Sequence, residues 1–406
     1  MPLSSMSWRQ EAQNQLGRML YTLTGHEGER VVATPQSAEE VASVLVFAKA
    51  HHLNICPLGG GTKQQWGRGA TPQIYLSLAR LNRLVEHPWQ DLTCTVQAGC
   101  TWSSLQRSLA LHGQFIAMDP LFQDRATVGG ILATNDCGSL RQRYGSLRDL
   151  VIGMTLVLAD GSIVRTGGKV VKNVAGYDLP KLLTGSLGTL AVITEASFRL
   201  HSLPKCVQAF TVDAPRASTL APLLAKIRAS HLLSQALQIS CIERQFRLSI
   251  ALTAHAEAGQ VAILRSMVAE EGLSAQEDSG PVGAARESLF RSSATVLRVA
   301  TLPSQVCEFG DGLQDSFSGI EISSVSDAVG SHWIALQGSA RAVSDAVNRI
   351  RTRSGYPGLT VSAVQIDAEV DIPAFDIPSR TFQLMRAIKD QFDPDHLLNP
   401  GKYLGI

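Results

Sequence analysis

Glycine spacing constrains this chain more than any other feature. After Asp119-Pro120 the sequence places Thr127-Val128-Gly129-Gly130-Ile131-Leu132-Ala133-Thr134-Asn135, and further on Gly185-Ser186-Leu187-Gly188-Thr189-Leu190-Ala191-Val192-Ile193-Thr194. Upstream stands Pro57-Leu58-Gly59-Gly60-Gly61-Thr62-Lys63. Glycine belongs where backbone must approach a neighbour closely or turn with positive φ. Here the glycines punctuate runs of small and β-branched residues instead of forming one flexible linker. That texture fits a slot walled by backbone.

A chain of 406 residues is too long for one comfortable core, so two domains are expected. Its 45% hydrophobic and 17% charged residues are ordinary for a globular protein. Lys+Arg 36 against Asp+Glu 35 leaves no global field for nucleic acid or anionic lipid. Trp8-Arg9-Gln10-Glu11 interrupts the start too early for a secretory signal, and no apolar run approaches the ~18 residues of a membrane span. A soluble, cytoplasmic chain is expected. Seven scattered cysteines with no C-x-x-C pair read as buried thiols in a reducing compartment, not as ligands of an iron–sulfur cluster held by this chain alone.

Along the chain, Leu16, Met19, Leu20 and Leu23 predict a docking helix over about Ser7 to Thr24. Ser37 with Glu40 three later forms a capping-box signature for a helix from about Ala38 to His51. Leu53 to Leu58 reads as a strand feeding the triple glycine. Alternation of Leu92, Cys94, Val96 and Ala98 marks another strand, and Thr101 opens a helix through Leu111. Asp160-Gly161 is the turn of a hairpin between Leu150 and Thr166, Asp178 caps a short helix that Gly185 ends, and Thr189 to Leu200 returns as a strand.

At Leu203-Pro204-Lys205 the glycine-rich texture stops. Strands are predicted at Val207 to Val212, Leu237 to Ile242, Phe246 to Leu252, Thr295 to Ala300 and Trp333 to Gln337, and helices at Ser218 to Ala229, Ala256 to Glu271 and Arg341 to Arg353. One β-α-β-β-α-β pass, a ferredoxin-like domain, would account for them. No internal repeat is evident, and the polar stretch Ser274 to Gly283 reads as a mobile loop. From Pro378 an amphipathic helix carries Phe382, Met385, Ile388 and Phe392, and the two prolines of Asp393-Pro394-Asp395-His396-Leu397-Leu398-Asn399-Pro400-Gly401-Lys402 stop it.

A dinucleotide diphosphate needs several backbone N–H donors converging on two negative charges, which only residues with small or absent side chains allow. Gly59, Gly60, Gly61 and Thr62 supply such a nest, with a glycine-rich surface turn as the competing reading. Position 64 is Gln, so the loop is not a Rossmann fingerprint, and no Gly-Lys-Ser/Thr follows, so it is not a Walker loop. Nicotinamide and nucleoside triphosphates lose support.

The ordered set of Pro57 to Lys63, Asp119 to Gly138, Gly188 to Thr194 and the Asn399 to Lys402 ending resembles the PCMH-type, or vanillyl-alcohol-oxidase-type, FAD-binding family. Within it, Lys172-Asn173-Val174-Ala175-Gly176-Tyr177-Asp178-Leu179 is similar to the FAD-binding E subunits of bacterial glycolate oxidase. The likeness covers about Val31 to Leu200 well and the tail moderately. It implies an α+β fold: a PCMH-type FAD-binding domain of two α+β subdomains over 25–203, and a ferredoxin-like α+β cap over 204–377. An N-terminal docking helix (1–24) and a C-terminal segment (378–406) returning to the FAD domain complete it.

The implied FAD-binding residues are Pro57, Leu58, Gly59, Gly60, Gly61, Thr62, Lys63, Asp119, Pro120, Thr127, Val128, Gly129, Gly130, Ala133, Asn135, Cys137, Gly138, Gly188, Val192 and Ile193. Lys63 stands where covalent flavoproteins of this fold carry histidine, so noncovalent FAD is implied. Leu58, where many relatives have Arg, and Ala191, where glycine is common, depart from the pattern. Cys137 reads as a packed thiol.

Implied partners are a companion FAD hydroxy-acid dehydrogenase subunit and an iron–sulfur subunit. The implied substrate of the complex is a small 2-hydroxy acid, glycolate, oxidised to glyoxylate, and the implied location is cytoplasmic or peripheral at the inner membrane through the partners. No catalytic set and no metal site are legible. The ten histidines show no H-x-x-H or H-x-x-x-H spacing, and His332 reads as a satisfied core or edge histidine. Arg298 and Arg380 are candidates for a carboxylate. Two alternatives stay open: a free-standing dehydrogenase, which Arg298, His332 and Tyr177 facing the flavin would support, and a flavin-less scaffold.

Overall fold

The computed structural model describes residues 7–25, 28–67, 69, 71–168, 177–253, 258–280, 282–290, 295–317 and 319–403. The marker segment from Lys172 to Gly176 lies outside them.

The amino-terminal part holds two sheets. One has the order β1-β2-β4-β3, built from β1 (Leu20–Gly25), β2 (Gly28–Ala33), β3 (Ile55–Leu58) and β4 (Ile74–Ser77). Parallel pairs β2/β4 and β4/β3 are bridged by helix α2 (Ala38–Ala50), the crossover that parallel strands require. The second is antiparallel with the order β5-β6-β10-β8-β9: β5 (Leu84–Glu86), β6 (Thr93–Gln97), β8 (Val151–Val157), β9 (Ile163–Gly167) and β10 (Val192–Arg199). Strands β7 (Gln114–Phe115) and β11 (His201–Ser202) form a small ribbon. Helices α3 (Trp102–Ala110), α4 (Val128–Thr134), α5 (Arg141–Tyr144), α6 (Leu147–Leu150) and α7 (Leu179–Leu183) fill the connections. One apolar core runs through both sheets, with Ile55, Leu76, Val96, Ile131 and Phe198 fully enclosed.

Two expectations change at the amino terminus. Helix α1 (Trp8–Leu16), capped by Ser7, ends at Gly17, and the chain passes through a short 3-10 turn into β1. Leu20-Tyr21-Thr22, aromatic and β-branched, prefers the extended form. At α2, Ser37 Oγ accepts from Glu40 N at 3.2 Å, but the Glu40 carboxylate accepts from Gln36 N at 2.8 Å, one residue earlier than a reciprocal box would have it.

The region after Leu203 differs more. It is a single eight-stranded sheet with the order β15-β12-β14-β13-β17-β18-β16-β19. The first half comprises β12 (Val207–Ala214), β13 (Ser234–Ile242), β14 (Gln245–Thr253) and β15 (Gln276–Asp278), with helices α8 (Ala217–Ala229) and α9 (Ala258–Glu270). After α10 (Ala284–Ser288) the second half repeats the sequence: β16 (Thr295–Ala300), α11 (Val306–Ser316), β17 (Glu321–Asp327), β18 (Ser331–Gln337), α12 (Ala340–Arg351), β19 (Thr360–Gln365).

Each half is a complete β-α-β-β-α-β pass, and the halves join edge to edge through β13 and β17. The cap is therefore two ferredoxin-like passes where one was expected, and β15 occupies part of the expected loop at Ser274 to Gly283. Period-two alternation sorts the second half. Leu297, Val299, Ile334, Leu336 and Ala363 join the core that holds Val343, Val347 and Ile350 of α12, while Val296, Val325, Trp333, Ala335 and Val364 meet Trp66, Leu121 and Leu187 of the amino-terminal part.

After the cap the chain returns. Leu398 bridges Ile55 in parallel at the edge of the first sheet, with Ile55 N donating to Leu397 O and Asn399 N to Ile55 O, both at 2.8 Å. Helix α13 (Ser379–Phe392) keeps its apolar stripe only half buried; its one fully buried side chain is Lys389. That ammonium donates to Thr189 O at 2.8 Å, Leu398 O at 3.0 Å and the Asp393 carboxylate at 2.5 Å. Removing one partner of a buried ion pair strands the other, so Lys389→Met should destabilise the protein by about 3–5 kcal/mol in urea unfolding. Lys181→Met, which breaks the exposed pair with Asp178, should leave the midpoint unchanged.

Candidate cofactor cleft and interdomain pocket

A cleft opens where β3 ends. Its floor is the loop after Leu58. A Cβ on Gly59 would strike the Thr127 hydroxyl and one on Gly60 the Arg125 carbonyl, so no side chain fits at either position. Thr127 caps α4 by accepting from Gly130 N at 3.4 Å, and Gly129 lies so close to β6 that its Cβ would sit 2.9 Å from that of Ala98. Among the described residues, the N–H groups of Gly59, Gly60, Gly61 and Thr62 have no acceptor in the chain. Four uncommitted donors on a floor without side chains match what a diphosphate requires.

Thirteen of the sequence-predicted residues line this cleft: Pro57 through Lys63, Thr127, Gly129, Gly130, Ala133, Gly188 and Ile193. Asn135 lines the neighbouring interdomain pocket instead. The remaining six line neither. Val128 and Val192 point into the core, at 0% and 1% exposure. Asp119 is a structural acceptor, taking Ser139 N and Oγ at 2.9 Å and Leu140 N at 3.1 Å, and Gly138 lies so close that its Cβ would overlap that carboxylate. Pro120, beside it, is buried. Cys137 is a buried thiol, pushed up by burial, directed at the Asn135 carbonyl at 3.5 Å.

Sequence reasoning missed Gln64, Leu78, Ala98, Thr134, Leu187 and Ala191 as lining residues, and used Asn399 and Lys402 only as a tail signature. Asn399 Nδ2 donates to Leu187 O at 2.9 Å and Lys402 Nζ donates to Gln64 O, so the tail closes one wall of the cleft. Leu187 holds φ +54°, strained for a bulky side chain, and borders both cavities.

The interdomain pocket, about 610 Å³, lies between the cleft and the cap sheet. It is lined by Trp66, Leu187, Phe375, Ser362 and Val364, with Arg148, Arg298 and Tyr403 as its polar groups. Arg298 shares a face with its cross-strand partner Trp333, lies over that ring at 5.4 Å, and donates to Asn135 O at 3.2 Å. Burial pushes the Tyr403 phenol up, against the pull of Arg148 and Arg298. Among the described residues, no His, Asp or Glu lines either cavity, and no group of three or more His, Cys, Asp and Glu is placed to hold a metal.

His332 sits on the opposite face of the cap sheet from Trp333, with no exposure, between Thr301 Oγ1 and Ser326 Oγ at 2.8 Å each and 4.5 Å from the Phe309 ring. Burial holds its pKa down at about 3. Tyr177 is 91% exposed and Arg380 lies on α13, exposed. Arg298, His332 and Tyr177 are not brought together.

Residues 30–167 match the family described as FAD binding domain, and residues 376–403 match the C-terminal domain of FAD linked oxidases. The chain is 27% identical to glycolate oxidase subunit GlcD of Bacillus subtilis, over 91% of this chain and 88% of that one. It is 28% identical to D-lactate dehydrogenase of Archaeoglobus fulgidus, over 92% and 90%. A mitochondrial D-lactate dehydrogenase [cytochrome] of Arabidopsis thaliana is 37% identical over 43% of this chain and 31% of the relative.

Among solved structures, 4-ethylphenol oxidase of Gulosibacter chungangensis superposes with TM-score 0.71 over 99% of this chain and 98% of that one at 16% identity. An alkyldihydroxyacetonephosphate synthase gives 0.66 over 91% and 75% at 18%. Those two show the fold alone. Residues 30–167 and 376–403 thus match an FAD binding domain and the C-terminal domain of FAD linked oxidases, and FAD is the cofactor. The chain is an FAD-dependent oxidoreductase, similar over most of its length to the GlcD and D-lactate dehydrogenase relatives. Among the described residues, no helix is long and apolar enough to cross a membrane.

Asp327 lies fully buried beside Arg286 and accepts from Gln238 Nε2 at 3.1 Å. Burial pushes its pKa up to about 6, against the pull of Arg286. Between the unfolded value of 3.8 and about 6 the folded state holds a proton that the unfolded chain has released, so stability falls as pH rises through that window. Asp327→Asn keeps the Gln238 contact without the charge. Its melting temperature should exceed the wild type's by about 3 °C above pH 6, with the gap closing below about pH 4.

Proposed function

We propose that the glycine-floored cleft holds FAD noncovalently, with the diphosphate on the Gly59 to Thr62 donors and the flavin end toward the interdomain pocket. The chain then serves as the FAD-binding redox subunit of a glycolate-type 2-hydroxy-acid dehydrogenase, passing electrons to a partner subunit. The GlcD relative is itself described as a subunit, which supports the partner reading. In this class the cofactor, when bound, accepts the hydride removed from the substrate carbon. On this reading domain boundaries fall near Leu203 and Pro378, where the chain enters and leaves the eight-stranded sheet.

The observation that carries the reading is the polar content of the interdomain pocket. Arg148 and Arg298 can hold a carboxylate, and Tyr403, protonated at neutral pH, can donate to an oxygen. Trp66, Leu187 and Phe375 exclude water. Removing the hydroxyl proton of a 2-hydroxy acid needs a base, and among the described residues neither cavity offers a histidine or carboxylate. The pocket recognises an anion but is poorly equipped to deprotonate it, which favours a redox subunit over a free-standing dehydrogenase. The enclosed His332 and exposed Tyr177 weigh against the latter further. The FAD-binding match leaves the flavin-less scaffold without support.

The purified chain should show flavin bands near ~370 and ~450 nm. Anaerobic glycolate or D-lactate should leave those bands unbleached until companion subunits are added. Bleaching of the isolated chain would establish a self-sufficient dehydrogenase and end the auxiliary reading.

A further inference from the structure

One buried chain of charges is not used by any step above. It begins at Lys63, a wall residue of the cleft, whose ammonium pairs with Asp136 at 2.9 Å and donates to Leu121 O at 3.3 Å. Asp136 is fully enclosed; its Oδ2 accepts Leu121 N at 2.8 Å, while its Oδ1 has no hydrogen bond and faces Arg286 Nη1 at 3.5 Å. Arg286 belongs to α10 of the cap, is 1% exposed, and crosses the domain boundary. Its guanidinium donates to the carbonyls of Cys137 and Asp119 and lies over the Trp333 ring at 5.4 Å. Next to it, Glu287 accepts Phe122 N at 2.7 Å, so α10 grips the amino-terminal part twice.

Charges in a low-dielectric interior are screened weakly, so the sign of the whole group reaches the cleft wall. Lys63 and Asp136 alone would cancel. Arg286 opposes Asp136 from the other side, while the buried Asp119 and Asp327 face Arg286 in turn, so loss of its charge would make the surroundings of Lys63 more negative. We propose that Arg286 is a positioning residue of the cap that offsets Asp136, so that the cleft wall at Lys63 is less negative toward the diphosphate of a dinucleotide than it would be without that charge. The cap domain would then help decide cofactor affinity without touching the cofactor.

This rests on the reading that the cleft holds FAD, and the test separates the two. FAD and riboflavin dissociation constants are measured by flavin fluorescence on refolded apoprotein of the full chain, with circular dichroism confirming each fold. Removing a cation and removing an anion from the trio have opposite signs: Arg286→Gln should weaken FAD binding about tenfold, and Asp136→Asn should leave it equal or tighten it several-fold. Arg286→Lys keeps the charge and should restore most of the loss. Riboflavin, lacking phosphate, should be indifferent to all three.

A merely structural role would make Gln and Asn variants both weaker and would weaken riboflavin alongside FAD; that pattern overturns the proposal. If Arg286→Gln fails to fold, the Asp136→Asn and Arg286→Lys constants decide it: weaker FAD binding in both rules it out. A wild-type chain that binds no FAD would instead remove the cofactor reading itself.

Discussion

Everything in the cofactor half depends on one contact where no Cβ fits. Gly59 and Gly60 lie against Thr127 and the Arg125 carbonyl, Gly129 lies against Ala98, and Gly99 lies against the Leu78 carbonyl. These approaches sew the parallel sheet to the antiparallel one along a single line. Because backbone meets backbone on that line, the loop after β3 has nothing to offer but its own N–H groups, which stay uncommitted. The seam that joins the sheets and the floor of the cleft are therefore one feature. A methyl group there would part the sheets and fill the cleft together.

The rest of the chain holds that seam shut. Between Leu203 and the tail the polypeptide makes a detour through an eight-stranded sheet, then returns to add Leu398 beside Ile55. Lys389, enclosed at the end of an otherwise loosely packed helix, ties the return to Thr189 and Asp393. The detour is not passive. Its second half turns Trp333, Val325 and Val364 onto Trp66, Leu121 and Leu187, and a fully enclosed Trp or Leu side chain contributes about 2–3 kcal/mol. Interdomain packing of that kind fixes the pocket that borders the cleft.

The sequence was most legible where backbone chemistry decides. The cleft glycines, the β8/β9 hairpin, the Asp178 cap and the alternating β6 strand appear where spacing placed them. It was least legible where the signal is an absence of periodicity. The missed strands β17 and β19, Glu321–Asp327 and Thr360–Gln365, are rich in Ser and Thr, and the missed helix α11 carries two glycines, so the second ferredoxin-like pass showed only in part. Both halves share topology, yet topology leaves no repeat when side chains diverge. Asp119, Asp136 and Cys137 surround the cleft segments without facing them, a distinction that spacing cannot draw. His332 was decidable: its neighbour Trp333 must take the other face of the strand, so only one of the two could meet the cleft.

The interdomain pocket then poses a question of chemical division. Arg148 spends one donor on Thr184 O, Arg298 one on Asn135 O, and each retains others that no residue in the pocket satisfies with charge. Two guanidinium groups near one phenol favour an anion strongly. They also make any base in the same pocket weaker, since neighbouring positive charge stabilises the deprotonated form. On the proposed reading, a site arranged this way selects and orients a carboxylate, and leaves proton removal to a group from elsewhere. That group then belongs to a companion polypeptide, and binding and proton transfer are divided between two chains.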